Sequence, residues 1–135
     1  QHWSQRGLRD ERRSLWCAWV VQAPERRFYF MGDSGWFPGF ADVGRAFGPF
    51  DLAAVPIGAY EPAAMMRPHH VDPEQAVSAG VALRAQRLVA MHFGTFDLSD
   101  EPLDEPPVRF RAAAAAAGFP EAATWVLRIG ETRDF

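Results

Sequence analysis

The stretch that decides the fold runs from LAAVPI at residues 52–57, through DPEQ at 72–75, to LVAM at 88–91. Both outer segments are short apolar runs of the kind found in buried strands. The aspartate before proline, with glutamine three residues after the cap, marks a helix start, because a capping side chain and a proline both suit the first turn. We expect this helix to end between residues 84 and 87. A strand, a helix and a second strand in this order predict a sheet with a helix packed on it.

The same alternation of strands and helices continues on both sides of this stretch. It predicts an α/β fold in a single domain over residues 1–135 and leaves the strand order open. Residues 14–22 (SLWCAWVVQ) are apolar on both alternating faces, which favours a strand covered on both sides. The other predicted elements are a strand at 27–31, a helix through Phe40, Val43 and Phe47 that stops at Gly48-Pro49, a helix from Pro106 to Gly118, and a strand at 124–129.

Composition excludes several classes of protein. The net charge is -3 and the chain has no long block of like charge, so nothing indicates a nucleic-acid partner. The Arg clusters at residues 6–13 and 26–27 are interpreted as solvated flanks of the hairpin. The lone Cys17 excludes an intramolecular disulfide and a cysteine-based zinc cluster, and its apolar neighbours predict a buried side chain. The absence of Lys and the abundance of Ala indicate a GC-rich bacterial genome, and we expect a cytoplasmic protein.

Polar residues with metal-binding chemistry follow the predicted strands. Asp33 lies in GDSG directly after the second predicted strand, and His92 directly follows LVAM. Ligands of α/β proteins usually bind at the carboxyl ends of strands. Each residue also has a structural interpretation, as an aspartate that hydrogen-bonds its own turn or as a core histidine. His2 and the pair His69-His70 belong to no local metal motif such as HExxH, so from the residues alone we favour the structural interpretations and keep the metal site as the alternative.

Six segments, in order along the chain, carry a resemblance to a known family. They are QHWSQRG at 1–7, FMGDSG at 30–35, FGPFDLAAVPIGAYEP at 47–62, HVDPEQA at 70–76, MHFGTF at 91–96 and EPPVRF at 105–110. Together they resemble the N-acylphosphatidylethanolamine-hydrolysing phospholipase D branch of the metallo-β-lactamase superfamily. The resemblance implies the C-terminal half of an αββα sandwich, with a mixed sheet that carries helices on one face.

The resemblance also implies a role for each candidate residue. His2 corresponds to a ligand of a first zinc ion, Asp33 to the carboxylate that bridges two zinc ions, and His92 to a ligand of the second. His70 corresponds to an active-site histidine near the substrate phosphate that does not bind metal, so Asp33 and His70 are the expected catalytic residues. Two zinc ions about 3.5–4 Å apart, sharing a carboxylate and a hydroxide, can hydrolyse a phosphodiester. The implied activity is therefore phospholipase D-type hydrolysis of N-acylphosphatidylethanolamine-like lipids.

The chain departs from the family pattern at one motif. The HxHxDH motif, which supplies the remaining zinc ligands in the family, does not occur in these 135 residues. We interpret the chain as a C-terminal fragment, and we expect it to bind zinc weakly and to be inactive alone. Its predicted partners are a phospholipid or small-molecule substrate and either a second copy or the missing N-terminal half. Contact with a membrane surface stays open, as do two alternatives: a lactonase or other hydrolase of the superfamily, and a non-catalytic interaction domain derived from it.

The resemblance implies that the segment from Gly58 to His70 lines the substrate cavity. Met65 and Met66 within it suit either a flexible apolar lip for a lipid chain or the filling of the core, and we favour core filling.

Overall fold

A five-stranded sheet organises the part of the chain that the structure, a computed structural model, describes: residues 1–3 and 7–135. Arg6 and the other residues of QHWSQRG between 4 and 6 lie outside the described residues. The strands are β1 (Trp19–Gln22), β2 (Arg27–Phe30), β3 (Leu52–Pro56), β4 (Leu88–Met91) and β5 (Thr124–Trp125). The helices are α1 (Phe40–Phe47), α2 (Ala63–Met66), α3 (Pro73–Ala82) and α4 (Glu105–Ala116), with a 3-10 turn at Glu121–Ala123.

The strand order follows the sequence order, β1-β2-β3-β4-β5. The β1–β2 hairpin is antiparallel, whereas β2, β3, β4 and β5 pair in parallel. The sheet is therefore mixed and the fold is α/β, as predicted. Because β2, β3 and β4 are parallel, the loops that follow them meet at one edge of the sheet.

Helices cover one face of the sheet and form the core with it. The capping box at Asp72 is confirmed: its carboxylate accepts the Gln75 N–H at 2.7 Å, and the Gln75 side chain accepts the Asp72 N–H. From this start α3 packs close to the sheet, since a Cβ on Gly80 would lie 2.4 Å from a Leu88 methyl carbon. Helix α3 also contacts α1 and α4. The fully buried side chains of this layer include Phe40, Phe50, Val55, Leu83, Leu88 and Phe110.

The opposite face of the sheet, hereafter the open face, is uncovered over β1 and part of β2. Trp19 pairs with Phe30 across the hairpin, and the two side chains are 65% and 40% exposed. The predicted strand at residues 14–22 is thus wrong in two respects: only Trp19–Gln22 is extended, and this edge strand is not covered on both sides. Cys17 is exposed, so its predicted burial is also wrong. Apolar neighbours in sequence did not bury it, because no described segment packs over this edge.

The last residues of the chain pack on part of the sheet beyond this exposed patch. The Phe135 ring lies 5.9 Å from the Phe28 ring, and the Arg133 guanidinium lies over the Trp125 ring at 5.1 Å. Arg26 Nε also donates to the Phe135 carbonyl oxygen at 2.9 Å. Phe28 on β2 and Trp125 on β5 are therefore partly shielded by the chain itself, whereas Trp19 and Val21 on β1 are exposed.

Several predicted boundaries differ from the observed ones by a few residues. Helix α3 ends at Ala82, earlier than expected, and β5 spans Thr124–Trp125 instead of residues 124–129. Helix α2 was not predicted, because a four-residue helix has no periodicity to recognise. Met65 in it is 68% exposed, so the core-filling interpretation of this residue is wrong.

Among the described residues, no helix is long and apolar enough to cross a bilayer.

Candidate metal centre

Asp33 and His92 meet at the edge where the parallel strands end. His92 Nε2 lies 3.5 Å from Asp33 Oδ1. His92 follows the last residue of β4 with a φ of 57°, in the left-handed region that costs a non-glycine residue energy. The turn after β2 begins with Gly32, whose φ of 67° reverses the chain and delivers Asp33 toward His92.

The GDSG loop is held close to the segment after α2. A Cβ on Gly35 would lie 2.7 Å from the Arg67 carbonyl oxygen and 2.8 Å from that of Pro68, so this approach requires glycine. The same segment leads into His69 and His70, whose backbone N–H groups both donate to the Met66 carbonyl oxygen at 2.8 Å. Close backbone packing therefore brings the two loops together.

His2 reaches the same place from the start of the chain. The Gly35 N–H donates to the Gln1 carbonyl oxygen at 2.7 Å, which fixes Gln1 beside the GDSG loop. His2 Nδ1 lies 3.0 Å from the His69 carbonyl oxygen. Because a carbonyl oxygen only accepts, Nδ1 must carry the proton, and the lone pair of the imidazole is then on Nε2. This arrangement is the one that metal-binding histidines commonly show.

Four predicted site residues thus converge. His2, Asp33 and His70 each offer a ligand atom, and these atoms all lie within 4.8 Å of one another. The rings of His70 and His92 stack at 5.2 Å between centroids. His70, which the resemblance placed outside the ligand set, therefore lies in the same cluster as the predicted ligands. The individual roles of the four residues stay predictions.

The cluster perturbs the protonation of its own members. The contact with His92 lowers the pKa of Asp33, and the carboxylate in turn raises the pKa of His92. Burial, together with the nearby His92 and His2, lowers the pKa of His70 to about 4. His70 is therefore uncharged at neutral pH, with a nitrogen lone pair available.

The chemistry of these donors fits a metal ion. His70 Nδ1 is buried and has no hydrogen-bond partner among the described residues, whereas protein structures usually satisfy such atoms. Imidazole nitrogen and carboxylate oxygen are ligands that zinc accepts. His2, Asp33, His70 and His92 could hold such an ion in different combinations.

Two recesses flank this centre, and the segment from Gly58 to His70 contributes residues to both. A recess of about 250 Å³ adjoins His92, and its apolar walls come from Phe93, Phe96, Leu98, Leu103 and Pro106. A smaller recess of about 90 Å³ adjoins His70 and is lined by polar groups that include Arg67 and Asp72. The segment that the resemblance assigned to the substrate cavity therefore borders an apolar and a polar space.

Sequence reasoning missed one residue beside the centre. Glu101 is only 8% exposed and receives hydrogen bonds from backbone groups of the segment that follows β3. It follows a loop and belongs to no motif, so no local signal distinguished it from a surface glutamate.

The fold and this cluster define a class of protein: an α/β sheet with a cluster of histidines and a carboxylate at its carboxyl edge, which could hold a metal ion. Residues 1–93 match the family model described as a beta-lactamase superfamily domain. The chain is 46% identical over 99 residues to N-acyl-phosphatidylethanolamine-hydrolyzing phospholipase D 1 of Caenorhabditis elegans, a match that covers 73% of this chain and 28% of that protein. It is 31% identical over 137 residues to the mitochondrial enzyme of that name from Saccharomyces cerevisiae, which covers 99% of this chain and 29% of that protein.

The solved structure of a metallo hydrolase from the archaeon Ignicoccus hospitalis has the same fold, with a TM-score of 0.62 and 26% identity over 83% of this chain and 42% of that one. The chain therefore belongs to the metallo-β-lactamase superfamily, in the N-acylphosphatidylethanolamine phospholipase D-like branch, which confirms the resemblance. The matched residues 1–93 include His2, Asp33, His70 and His92. The chain spans 28% and 29% of the length of the two curated relatives described above.

Proposed function

We propose that the full-length protein is a zinc-dependent phosphodiesterase of the phospholipase D type, acting on lipids that resemble N-acylphosphatidylethanolamine. The observation that carries this proposal is the convergence of His2, Asp33, His70 and His92 at one edge of the sheet. These residues come from four separate parts of the chain. Surface histidines with no shared role have no reason to gather in this way.

Each residue has a proposed task. His2, Asp33 and His92 would hold the metal, with Asp33 as the carboxylate among them, whose two oxygens can each serve as a ligand. His70 lies beside the substrate phosphate, uncharged at neutral pH and able to donate or accept a hydrogen bond. When bound, the metal supplies Lewis acidity and lowers the pKa of water.

The two recesses support a substrate with an apolar and a polar part. The apolar recess beside His92 suits a hydrocarbon chain, and its walls Phe96 and Leu98 are about 70% exposed. The polar recess beside His70 suits the polar part of a lipid headgroup. Small-molecule sites are commonly apolar with a few placed polar groups.

We further propose that the 135 residues alone bind zinc weakly and do not hydrolyse substrate. His2, Asp33 and His92 would be shared between two ions, which leaves each ion short of the usual set of protein ligands.

The full-length protein tests this proposal. Atomic emission should find two zinc ions per molecule, and the protein should hydrolyse N-acylphosphatidylethanolamine in preference to a lactone. The separate 135-residue chain, measured as the comparison, should hold much less than one ion. Preference for the lactone would favour the other hydrolases of the superfamily, and a full-length protein that holds no metal would favour a non-catalytic domain.

We also propose that the exposed part of the open face packs against a second sheet of the same full-length protein. Trp19, Val21 and Phe30 form an apolar surface that monomeric proteins rarely leave in water. The curated relatives are more than three times as long as the matched segment, so they contain enough chain for a second layer. A second copy of this chain is the alternative occupant.

Truncating Trp19 measures whether its face is covered. In the full-length protein, Trp19→Ala should lower the free energy of unfolding by about 2 kcal/mol, because a covered indole loses buried apolar area. Val81→Ala, at a residue on α3 that is 52% exposed, is the matched control and should change it by less than about 0.5 kcal/mol. Equal effects of the two variants would show that Trp19 stays exposed and would contradict the proposed packing.

A further inference from the structure

We propose that Glu101 is a positioning residue of the metal centre, which clamps the segment Gly58–Glu61 against the backbone of His92. The inference rests on the proposed function, since it assigns a role toward the same centre. Glu101 lies outside the cluster of His2, Asp33, His70 and His92 and acts through the backbone that carries one of them.

The Glu101 carboxylate is occupied by three donors. Oε1 accepts the Ala59 N–H at 2.6 Å and the Ser99 hydroxyl at 2.8 Å, and Oε2 accepts the Glu61 N–H at 3.0 Å. The Asp100 N–H donates in return to the Glu61 carbonyl oxygen at 3.1 Å. The carboxylate therefore accepts hydrogen bonds from backbone N–H groups after β3. In a longer sheet, carbonyl oxygens of a neighbouring strand would accept these bonds.

The clamped segment lies directly on His92. The Ile57 N–H donates to the Met91 carbonyl oxygen at 3.0 Å, which continues the β3–β4 pairing to the edge of the sheet. At the next residue, a Cβ on Gly58 would lie only 2.3 Å from the His92 carbonyl oxygen, so the two backbones are in contact. A shift of this segment would therefore displace His92 as well.

Both backbones are held in costly conformations. Ala59 has a φ of 62° and His92 a φ of 57°, and such angles persist in non-glycine residues only where the surroundings enforce them. The hydrogen bonds to Glu101 enforce the φ of Ala59. The packing of Gly58 on His92 then couples the conformation of Ala59 to that of His92. The His92 imidazole is directed toward Asp33 by this strained backbone.

The clamp requires an ionised carboxylate. Burial alone would raise the pKa of Glu101, but hydrogen bonds from the Glu61 N–H, the Ser99 hydroxyl and the Ala59 N–H hold it below its usual value. A glutamine of the same shape has one acceptor oxygen and one NH2 group. Whichever way the amide is turned, its NH2 group faces a backbone N–H, so one of the two clamping bonds is lost.

The test is Glu101→Gln in the full-length protein, with zinc affinity measured by competition with a chelator and turnover measured on the lipid substrate. Changes in residues that orient metal ligands typically weaken metal affinity or activity about 10- to 100-fold, and we expect a loss in this range for affinity and kcat, with KM changed less than about 3-fold. Hydrogen exchange at Ala59 and Glu61 should become faster in the metal-free variant.

Two control variants separate the clamp from a general loss of charge or stability. Glu131→Gln removes a carboxylate that accepts a backbone N–H, that of Arg128 at 3.0 Å, far along the chain from the centre. Ser99→Ala removes the hydroxyl donor and leaves both backbone bonds to Glu101 in place, so it should weaken zinc binding less than Glu101→Gln does. Glu131→Gln should bind zinc within about 3-fold of the wild type, below the range typical for residues that orient metal ligands.

One result would overturn the inference: a Glu101→Gln protein that unfolds at a lower temperature but has the zinc affinity and turnover of the wild type. The role of Glu101 would then be structural only. If this variant does not fold, Glu101→Asp takes its place: the shorter carboxylate cannot reach both N–H groups, and wild-type affinity in it would also overturn the clamp. A wild-type protein that binds no zinc refutes the proposed function instead. In that case unchanged exchange at Ala59 and Glu61 in Glu101→Gln would still refute the clamp separately.

Discussion

Replacing Asp33 by Asn in the full-length protein is expected to remove most of the bound zinc and to lower hydrolysis by at least about 1000-fold. Asp33 offers a carboxylate oxygen within 4.8 Å of the potential ligand atoms of His2 and His70, and its Oδ1 lies 3.5 Å from His92 Nε2, so it is the anionic member of the cluster. An amide keeps the shape but loses the negative charge and one acceptor oxygen. Metal assistance is worth several kcal/mol of barrier, and each 1.4 kcal/mol is about a tenfold change in rate.

The measurements for Asp33→Asn are metal content by atomic emission and initial rates on N-acylphosphatidylethanolamine. Asp42→Asn, at an exposed carboxylate of α1, is the matched control and should leave both unchanged. His70→Ala separates the two possible roles of that histidine: it should keep the zinc and lower kcat if His70 faces the substrate. An Asp33→Asn protein with full zinc content and activity would refute the proposed bridging role.

Replacing Phe110 by Ala is expected to cost about 3–5 kcal/mol of the free energy of unfolding, the range for truncating a buried aromatic ring. Phe110 is fully buried on the side of α4 that faces the core, and it belongs to the same cluster as Leu83 and Val77 of the α3 region. Helix α4 packs against α3, so the ring fills space between a helix pair and the sheet. Loss of the ring leaves a cavity that neighbouring side chains close only in part.

Urea unfolding followed by circular dichroism measures this effect. Val108→Ala, two residues earlier on the same helix and 66% exposed, is the control and should change stability by less than about 0.5 kcal/mol. Similar losses in the free energy of unfolding for Phe110→Ala and Val108→Ala would mean that α4 does not pack Phe110 into the core.

Much of the fold was predictable because its signals are local. The aspartate, proline and glutamine that start α3 satisfy one another within a single turn, so their pattern has the same meaning in any protein. The β4 strand was predicted with its observed bounds from four apolar residues between a helix and a histidine. In contrast, the burial of Cys17 and Met65 was predicted from their type and came out wrong, because exposure depends on which other segment packs over a residue.

The candidate site likewise has features that local sequence predicts and features that depend on contacts between distant segments. Asp33 and His92 could be predicted from their positions after strands, and resemblance added His2 and His70. Their convergence could not be predicted from spacing, because it depends on contacts between distant segments such as the Gly35 N–H with the Gln1 carbonyl oxygen. Glu101 had no signal at all, since its donors Ala59 and Glu61 lie about 40 residues earlier in the chain.

By itself, the sequence determined the alternation of strands and helices, the start of α3, the family and the candidate ligands. The alternation of elements and the start of α3 follow from side-chain chemistry and from contacts within a turn or a strand, whereas the family and the full set of candidate ligands come from the resemblance. Only the tertiary structure decided that the open face is uncovered at Trp19, that His2 is oriented by the His69 carbonyl, and that Glu101 holds the backbone beside His92. The physical reason is that burial, imidazole orientation and strained backbone angles depend on groups far apart in the chain, which become neighbours only when the sheet has formed.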